Sequence, residues 1–335
     1  MNTFLREIEV QETLEAPGRA ERVDPMLEDK KDESPKRPGS IRPVPCDSCG
    51  GTDFRPLFEK ASERDEVFRI VSCKQCSLVQ VNPQPDLEAV RPYYEESYFT
   101  KRTDRGYANY YSPELKEQIR KVYDMNLRDL GFFEYEKQAM EAARAEGDAP
   151  LALDAGCAAG YFVEHVRSRG WRSKGVEISQ AAARFGREEL GLDIIVDDYL
   201  STDLLQPDSF DLISLWASIE HMHSPRRVLE RTRDLLKPGG RMLLSTCRYG
   251  ILARWKGPEW RYMNVPEHLY FFSLNGLIKA ARAAGLALVD HVTYGSGMTT
   301  RADAGPGYRI AKRIADPLVK HTGQGDMMAL HLMKV

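Results

Sequence analysis

The stretch Leu151–Phe162 reads LALDAGCAAGYF: a short apolar run, a carboxylate, a loop of small residues, and then an amphipathic segment. Strand, tight loop and helix N-terminus in that order form the opening unit of a nucleotide-binding α/β domain. Gly156 and Gly160 stand at the two ends of the loop, where a sharp turn and a close ligand approach favour glycine. The loop lacks the Gly-x-Gly-x-x-Gly spacing that seats a pyrophosphate on a helix N-terminus. Asp154 at the strand end would repel a pyrophosphate and suits a ligand that carries positive charge.

Strand and helix patterns alternate beyond this point, which predicts a Rossmann-like α/β fold. Strands are expected at 151–154, 171–177, 193–196, 210–215, 241–246 and 286–294, and a last antiparallel strand at 325–335. Intervening helices are expected near 161–169, 180–190, 225–236, 274–284 and 308–320. Ser112-Pro113-Glu114 reads as a capped helix start, followed by helices to about 130 and over 135–144. Lys237-Pro-Gly-Gly240 reads as a sharp stop after the fourth strand's helix. An acid at the end of strand two, about twenty residues past the glycine loop, is placed to accept both hydroxyls of a ribose; that residue is Glu177.

The segment Asp154-Ala-Gly156-Cys157-Ala158-Ala-Gly160 resembles the first motif of the class I S-adenosylmethionine-dependent methyltransferases. It departs at Ala158, where that family usually has glycine. Phe210-Asp-Leu-Ile, the segment ending Glu220-His221, and the Lys237 turn resemble the same family. The resemblance implies a seven-stranded, mostly parallel sheet with an antiparallel last strand. It implies S-adenosylmethionine as cofactor, with Asp154 near its ammonium and Glu177 on its ribose. Asp198, preferred over Asp197, would meet the adenine amino group, with a backbone donor from Tyr199. Trp216 and Ala217 would line the pocket, and Gly156, Cys157, Gly160, Tyr161 and Ile178 complete the expected cofactor set. His221 is read either as facing the methyl site or as bonding within its own loop.

Two C-x-x-C knuckles, Cys46/Cys49 and Cys73/Cys76, have the spacing of a four-cysteine zinc ribbon. Four thiolates leave no open position, so the Zn2+ is expected to be structural. So small a module could not fold on its core alone. The expected division is a weakly ordered tail over 1–41, a ribbon over 42–85, a linker with lid helices over 86–145, and the cofactor-binding domain over 146–335. The tyrosine-rich stretch from Tyr93 to Tyr111 is either packing for the ribbon or a substrate-facing lid.

Beyond strand five comes an aromatic insertion, 249–264, and then Glu267-His268-Leu-Tyr-Phe-Phe-Ser273. A ribbon ahead of this domain, together with the Glu-His box, resembles the deoxysugar C-methyltransferases. Those enzymes carry a further C-terminal domain where this sequence ends with the seventh strand. Their acid–histidine pair maps onto Glu267 and His268. The resemblance implies His268 as general base, with Glu267 orienting it; the bland alternative is that His268 only holds the insertion in place. The acceptor is expected to be a small molecule, sugar or secondary metabolite, methylated on carbon or oxygen.

A formal charge of −3 argues against nucleic acid as the partner, although a ribbon could serve an RNA methyltransferase. No base-methylating Asn-Pro-Pro-Tyr-like box follows strand four. A non-catalytic scaffold is the remaining alternative. With no signal-peptide pattern or long apolar run, a cytoplasmic location is expected.

Overall fold

In the computed structural model the described residues are 40–94, 99–100, 109–298 and 305–335. All but the last two residues of the expected tail, together with Tyr98 and Tyr107, lie outside them. Seven strands make the main sheet: β1 (Leu151–Ala155), β2 (Arg172–Glu177), β3 (Ile194–Val196), β4 (Phe210–Trp216), β5 (Leu236–Cys247), β6 (Leu286–Tyr294) and β7 (Met327–Lys334). Their spatial order is β6-β7-β5-β4-β1-β2-β3. β1 to β5 pair in parallel, and β7 runs antiparallel between β5 and β6. The chain runs outward from β1 to β3 and then returns to the other side of β1 as β4. That reversal opens a crevice at the carboxyl ends of β1 and β4, where open α/β sheets bind ligands.

Helices cover both faces, so the central strands are apolar on both sides. On one face, Tyr123, Leu127, Leu130 and Phe132 from the helices Pro113–Asp129 and Phe132–Ala145 pack with Phe162 and Trp171. Each such buried aromatic or leucine contributes roughly 1.5–3 kcal/mol of transfer free energy. These two helices therefore share one core with the sheet. Glu136 anchors this face: it accepts from Trp171 Nε1 at 3.0 Å and from the Arg169 guanidinium.

The Lys237–Gly240 segment differs from the expected turn. Strand β5 already begins at Leu236, which pairs with Phe210, and the ladder resumes at Arg241 opposite Leu212. Gly239, at φ +74°, absorbs the irregularity between the two pairings, and Lys237 Nζ holds Asp211 Oδ1 at 2.9 Å. The segment is a bulge within the strand, because the sheet partner is found before the turn is complete.

The N-terminal unit pairs Phe54–Ala61, Val67–Cys73 and Val79–Val81 in antiparallel fashion. Its fourth strand comes from far along the chain: Tyr270 and Phe271 pair with Gln80 and Val79. Val81 N–H also donates to Leu269 O at 2.9 Å. The two knuckles are built alike, with a left-handed residue after each, Gly50 at φ +75° and Ser77 at φ +65°. Asp47, inside the first knuckle, accepts from Arg226 N–H at 2.7 Å. It thereby caps the helix Pro225–Leu235, whose own N-cap residue Ser224 makes no side-chain bond. Phe68, Ile70 and Val81 share a core with Trp260, Met263 and Val265, which gives the aromatic insertion a packing role between the ribbon and β5. Trp255 of the insertion, by contrast, is 78% exposed. No helix among the described residues is long and apolar enough to cross a membrane.

Candidate active site

A cavity of about 720 Å³ occupies the crevice. Asp154, Gly156, Cys157, Glu177, Ile178, Asp198, Tyr199, Trp216 and Ala217 all line it, as does His268. The strand ends therefore gather ten of the thirteen residues expected for cofactor and catalysis into one space. The described residues that line the cavity do not include Gly160, Tyr161 or Glu267. Gly160 turns its Cα toward the sheet, where a Cβ would meet Leu192 Cδ1 at 2.6 Å. Tyr161 points away into the aromatic core, stacks on Tyr110 at 5.2 Å and donates to Tyr110 O. Both serve the shape of the loop from behind.

Asp154 ends β1 and is buried; it accepts from Ser214 Oγ at 2.6 Å. Burial pushes its carboxyl up to about 7, opposed by the Ser214 bond and reinforced by the nearby Glu177 charge. Glu177 ends β2 and spans the loop: Oε2 accepts from Ala158 N–H at 2.8 Å and Oε1 from Ser179 N–H at 2.7 Å. Burial raises its pKa, and these backbone donors pull it down. The backbone N–H of Ile178 is a third donor to this carboxylate, which leaves it oriented by the loop while still able to accept from a hydroxyl. Both aspartates after β3 line the cavity. Asp198 binds its own turn, through Leu200 N–H at 3.1 Å and Ser201 Oγ at 3.2 Å, while Asp197 Oδ1 accepts from Asp198 N–H at 2.8 Å.

Ala158 sits at φ +48°, in the left-handed region. This explains why glycine suits the position: the alanine methyl costs about 1–2 kcal/mol there. Ala158→Gly is expected to raise stability by a net ~0.5–1 kcal/mol once the extra chain entropy of glycine is subtracted. Urea unfolding checks this, and a lowered midpoint would contradict the assignment.

His221 and His268, which also line the cavity, meet edge-on with ring centroids 4.7 Å apart. His268 is buried, and its Nδ1 lies 2.8 Å from the carbonyl oxygen of Tyr262. A carbonyl only accepts, so Nδ1 carries the proton and Nε2 is the basic nitrogen. The same logic sets His221. Tyr94 Oη donates to Glu267 O at 3.2 Å and lies 3.0 Å from His221 Nδ1. With its one proton given to the carbonyl, Tyr94 accepts from His221 Nδ1–H, which leaves Nε2 basic there also.

Glu267 was expected to orient His268 through its carboxylate. His268 Nδ1 is engaged by the Tyr262 carbonyl, and the backbone carbonyl of Glu267 accepts from Tyr94 Oη. Tyr94, Phe99, Tyr110 and Tyr123 form an aromatic wall, so part of the tyrosine-rich stretch faces the cavity. Sequence reasoning missed Ser214, Tyr94 and the Tyr262 carbonyl. Only Tyr94 had a signal, its place in the aromatic run.

At the four cysteines, Cys46 Sγ and Cys76 Sγ are 3.4 Å apart and Cys49 Sγ and Cys73 Sγ 3.5 Å apart. All four sulfurs lie within 4.8 Å of one another. A tetrahedron with Zn–S of about 2.3 Å has edges of about 3.8 Å, so the spacing fits. Backbone N–H groups of Ser48 and Cys49 point at Cys46 Sγ, and those of Gln75 and Cys76 at Cys73 Sγ. Such donors stabilise thiolates.

Sheet order and the crevice at the strand ends are those of the Rossmann-like methyltransferase fold. Residues 134–291 match a family described as a methyltransferase domain. The chain is similar to the ubiquinone biosynthesis O-methyltransferase of Idiomarina loihiensis, 24% identical over 183 residues, or 50% of this chain and 72% of that protein. It is 31% identical over 150 residues to the enzyme of the same name from Paraburkholderia phymatum, covering 41% of this chain and 65% of the relative. Among solved structures, it resembles an S-adenosylmethionine-dependent methyltransferase from Thermotoga maritima described as a possible histamine N-methyltransferase. That likeness has a TM-score of 0.44 at 18% identity and covers 65% of this chain and 97% of the other.

Proposed function

We propose that this protein methylates a small-molecule acceptor, a sugar or secondary metabolite, on carbon or oxygen, with His268 as general base. The observation that carries the reading is that one cavity holds both the strand-end carboxylates and a histidine whose tautomer is fixed with Nε2 basic. The curated relatives are named for ubiquinone biosynthesis, which supports a small-molecule acceptor over a nucleic acid.

In this reading S-adenosylmethionine supplies an activated methyl on a sulfonium. Asp154 holds the ammonium, and Glu177, oriented by its backbone donors, accepts from the ribose hydroxyls. Asp198 takes the adenine amino group, with Tyr199 N–H as backbone donor. Gly156, Cys157, Ile178, Trp216 and Ala217 shape the walls. His268 Nε2 removes the acceptor's proton, and its Nδ1–H bond to the Tyr262 carbonyl stabilises the imidazolium that results. Glu267, beside it in the chain, orients His268 or raises its basicity. The four ribbon cysteines hold a structural Zn2+ and fix the edge strand that follows His268. Incubation with methyl-labelled cofactor and metabolite or nucleotide-sugar pools tests the reading: label should enter a small molecule and survive RNase treatment. Label lost to RNase would instead make the acceptor RNA.

Cofactor affinity should depend on pH with a definite sign. Asp154 ionises near 7 in the free protein, and an ammonium needs the carboxylate. Below that pH, binding must expel a proton, so affinity rises about tenfold per unit up to about pH 7. It levels and then falls above about 8, where an α-amino group itself deprotonates. In Asp154→Asn the rising limb should vanish. The folded-state value lies above the ordinary 3.8, so the ionised, unliganded site destabilises the fold as pH climbs between the two values, and cofactor offsets this. Calorimetry across this range checks the limb; a flat profile in the parent protein would contradict Asp154 as the ammonium partner.

A further inference from the structure

Glu220, His221 and His268 each offer one ligand atom, and the three atoms lie within 4.8 Å of one another. Glu220 and His268 are buried, and all three line the cavity. We propose that this triad is a divalent-cation site, separate from the four-cysteine centre and inhibitory toward the base. Two imidazoles and one carboxylate form a donor set suited to borderline ions such as Zn2+, Co2+ or Ni2+. The surroundings match what holds metal-binding histidines. Each ring has its Nδ1 engaged by an oxygen, His268 by the Tyr262 carbonyl at 2.8 Å and His221 by Tyr94 Oη at 3.0 Å. Such outer bonds fix the ring and turn Nε2 into the ligand nitrogen. Two short segments, the turn after β4 and the box after the insertion, are held together by Leu269 N–H donating to Glu220 O at 2.9 Å, so the donors share a rigid support.

The functional consequence rests on the reading of His268 as base. A cation on the triad occupies the Nε2 lone pair, so metal binding and proton abstraction exclude one another. Cofactor binding at Asp154 and Glu177 is left intact.

The test uses protein with its cysteine centre already loaded with zinc, titrated with Co2+. A second equivalent should bind and give weak visible bands of nitrogen and oxygen ligation, without an intense thiolate charge-transfer band. His221→Gln should weaken this equivalent at least about tenfold while S-adenosylmethionine binding, measured by calorimetry, stays within about threefold. Glu220→Gln provides a second variant if His221→Gln fails to fold. Absence of a second equivalent, equal Co2+ affinity in His221→Gln, or an intense thiolate band pointing to Cys247 would each overturn the site. The readout is independent of turnover. If Co2+ binds as stated but His268→Gln still turns over, the base reading falls and the site stands; if Co2+ does not bind and His268→Gln is inactive, the reverse holds.

Discussion

His268→Gln is expected to reduce methyl transfer by about 10²–10⁴-fold while leaving S-adenosylmethionine affinity within about threefold. Glutamine keeps a donor that can reach the Tyr262 carbonyl, so the loop retains its anchor and only the basic nitrogen is lost. Asp154 and Glu177 end β1 and β2, whereas His268 lies on the separate segment after the insertion, which is why binding and turnover should separate. Unchanged turnover would return His268 to a purely structural role beneath the insertion.

Zinc removal should have an effect of similar size by a different route. Structural zinc contributes an apparent 10–16 kcal/mol of binding free energy to small domains that fold around it. Chelation, or Cys73→Ser, is expected to unfold the strands Val67–Cys73 and Val79–Val81. Tyr270 and Phe271 pair with that sheet and lie two and three residues beyond His268. Loss of the ribbon therefore frees the box that positions the base. Turnover should fall by about 10²-fold or more, and amide exchange should rise at 67–81 and 268–271. Asp154 and Glu177 belong to β1 and β2, whose hydrogen bonds do not involve the ribbon, so cofactor binding should persist. Full turnover in zinc-free protein would make the ribbon an independent module.

The strand-end half of the candidate site was legible because its signals are local. Gly156 must reach φ +70° with Ser218 only 2.8 Å from where a Cβ would sit, and such constraints leave glycine in the sequence. Glu177 was found from its distance along a strand–helix–strand unit, since short connections make sequence spacing a measure of space. The cysteine knuckles carry their geometry in their spacing. The surroundings of His268 were less legible because their contacts are distant in sequence or made by backbone. The Tyr262 carbonyl leaves no side-chain signature, and any residue could have supplied it. The pairing of Tyr270–Phe271 with Gln80 and Val79 joins segments nearly two hundred residues apart, which no local pattern announces. Tyr161 shows the converse error. It follows the glycine loop directly, but the first turn of its helix aims the side chain at Tyr110 rather than into the cavity.

The central claim is a strand-end cofactor site, and isothermal calorimetry of zinc-loaded protein with S-adenosylmethionine tests it most directly. One-to-one binding with a Kd of about 1–100 μM is expected, weakened about tenfold or more in Asp154→Ala and in Glu177→Ala. No binding by folded, zinc-loaded protein, or equal affinity in both variants, would contradict it.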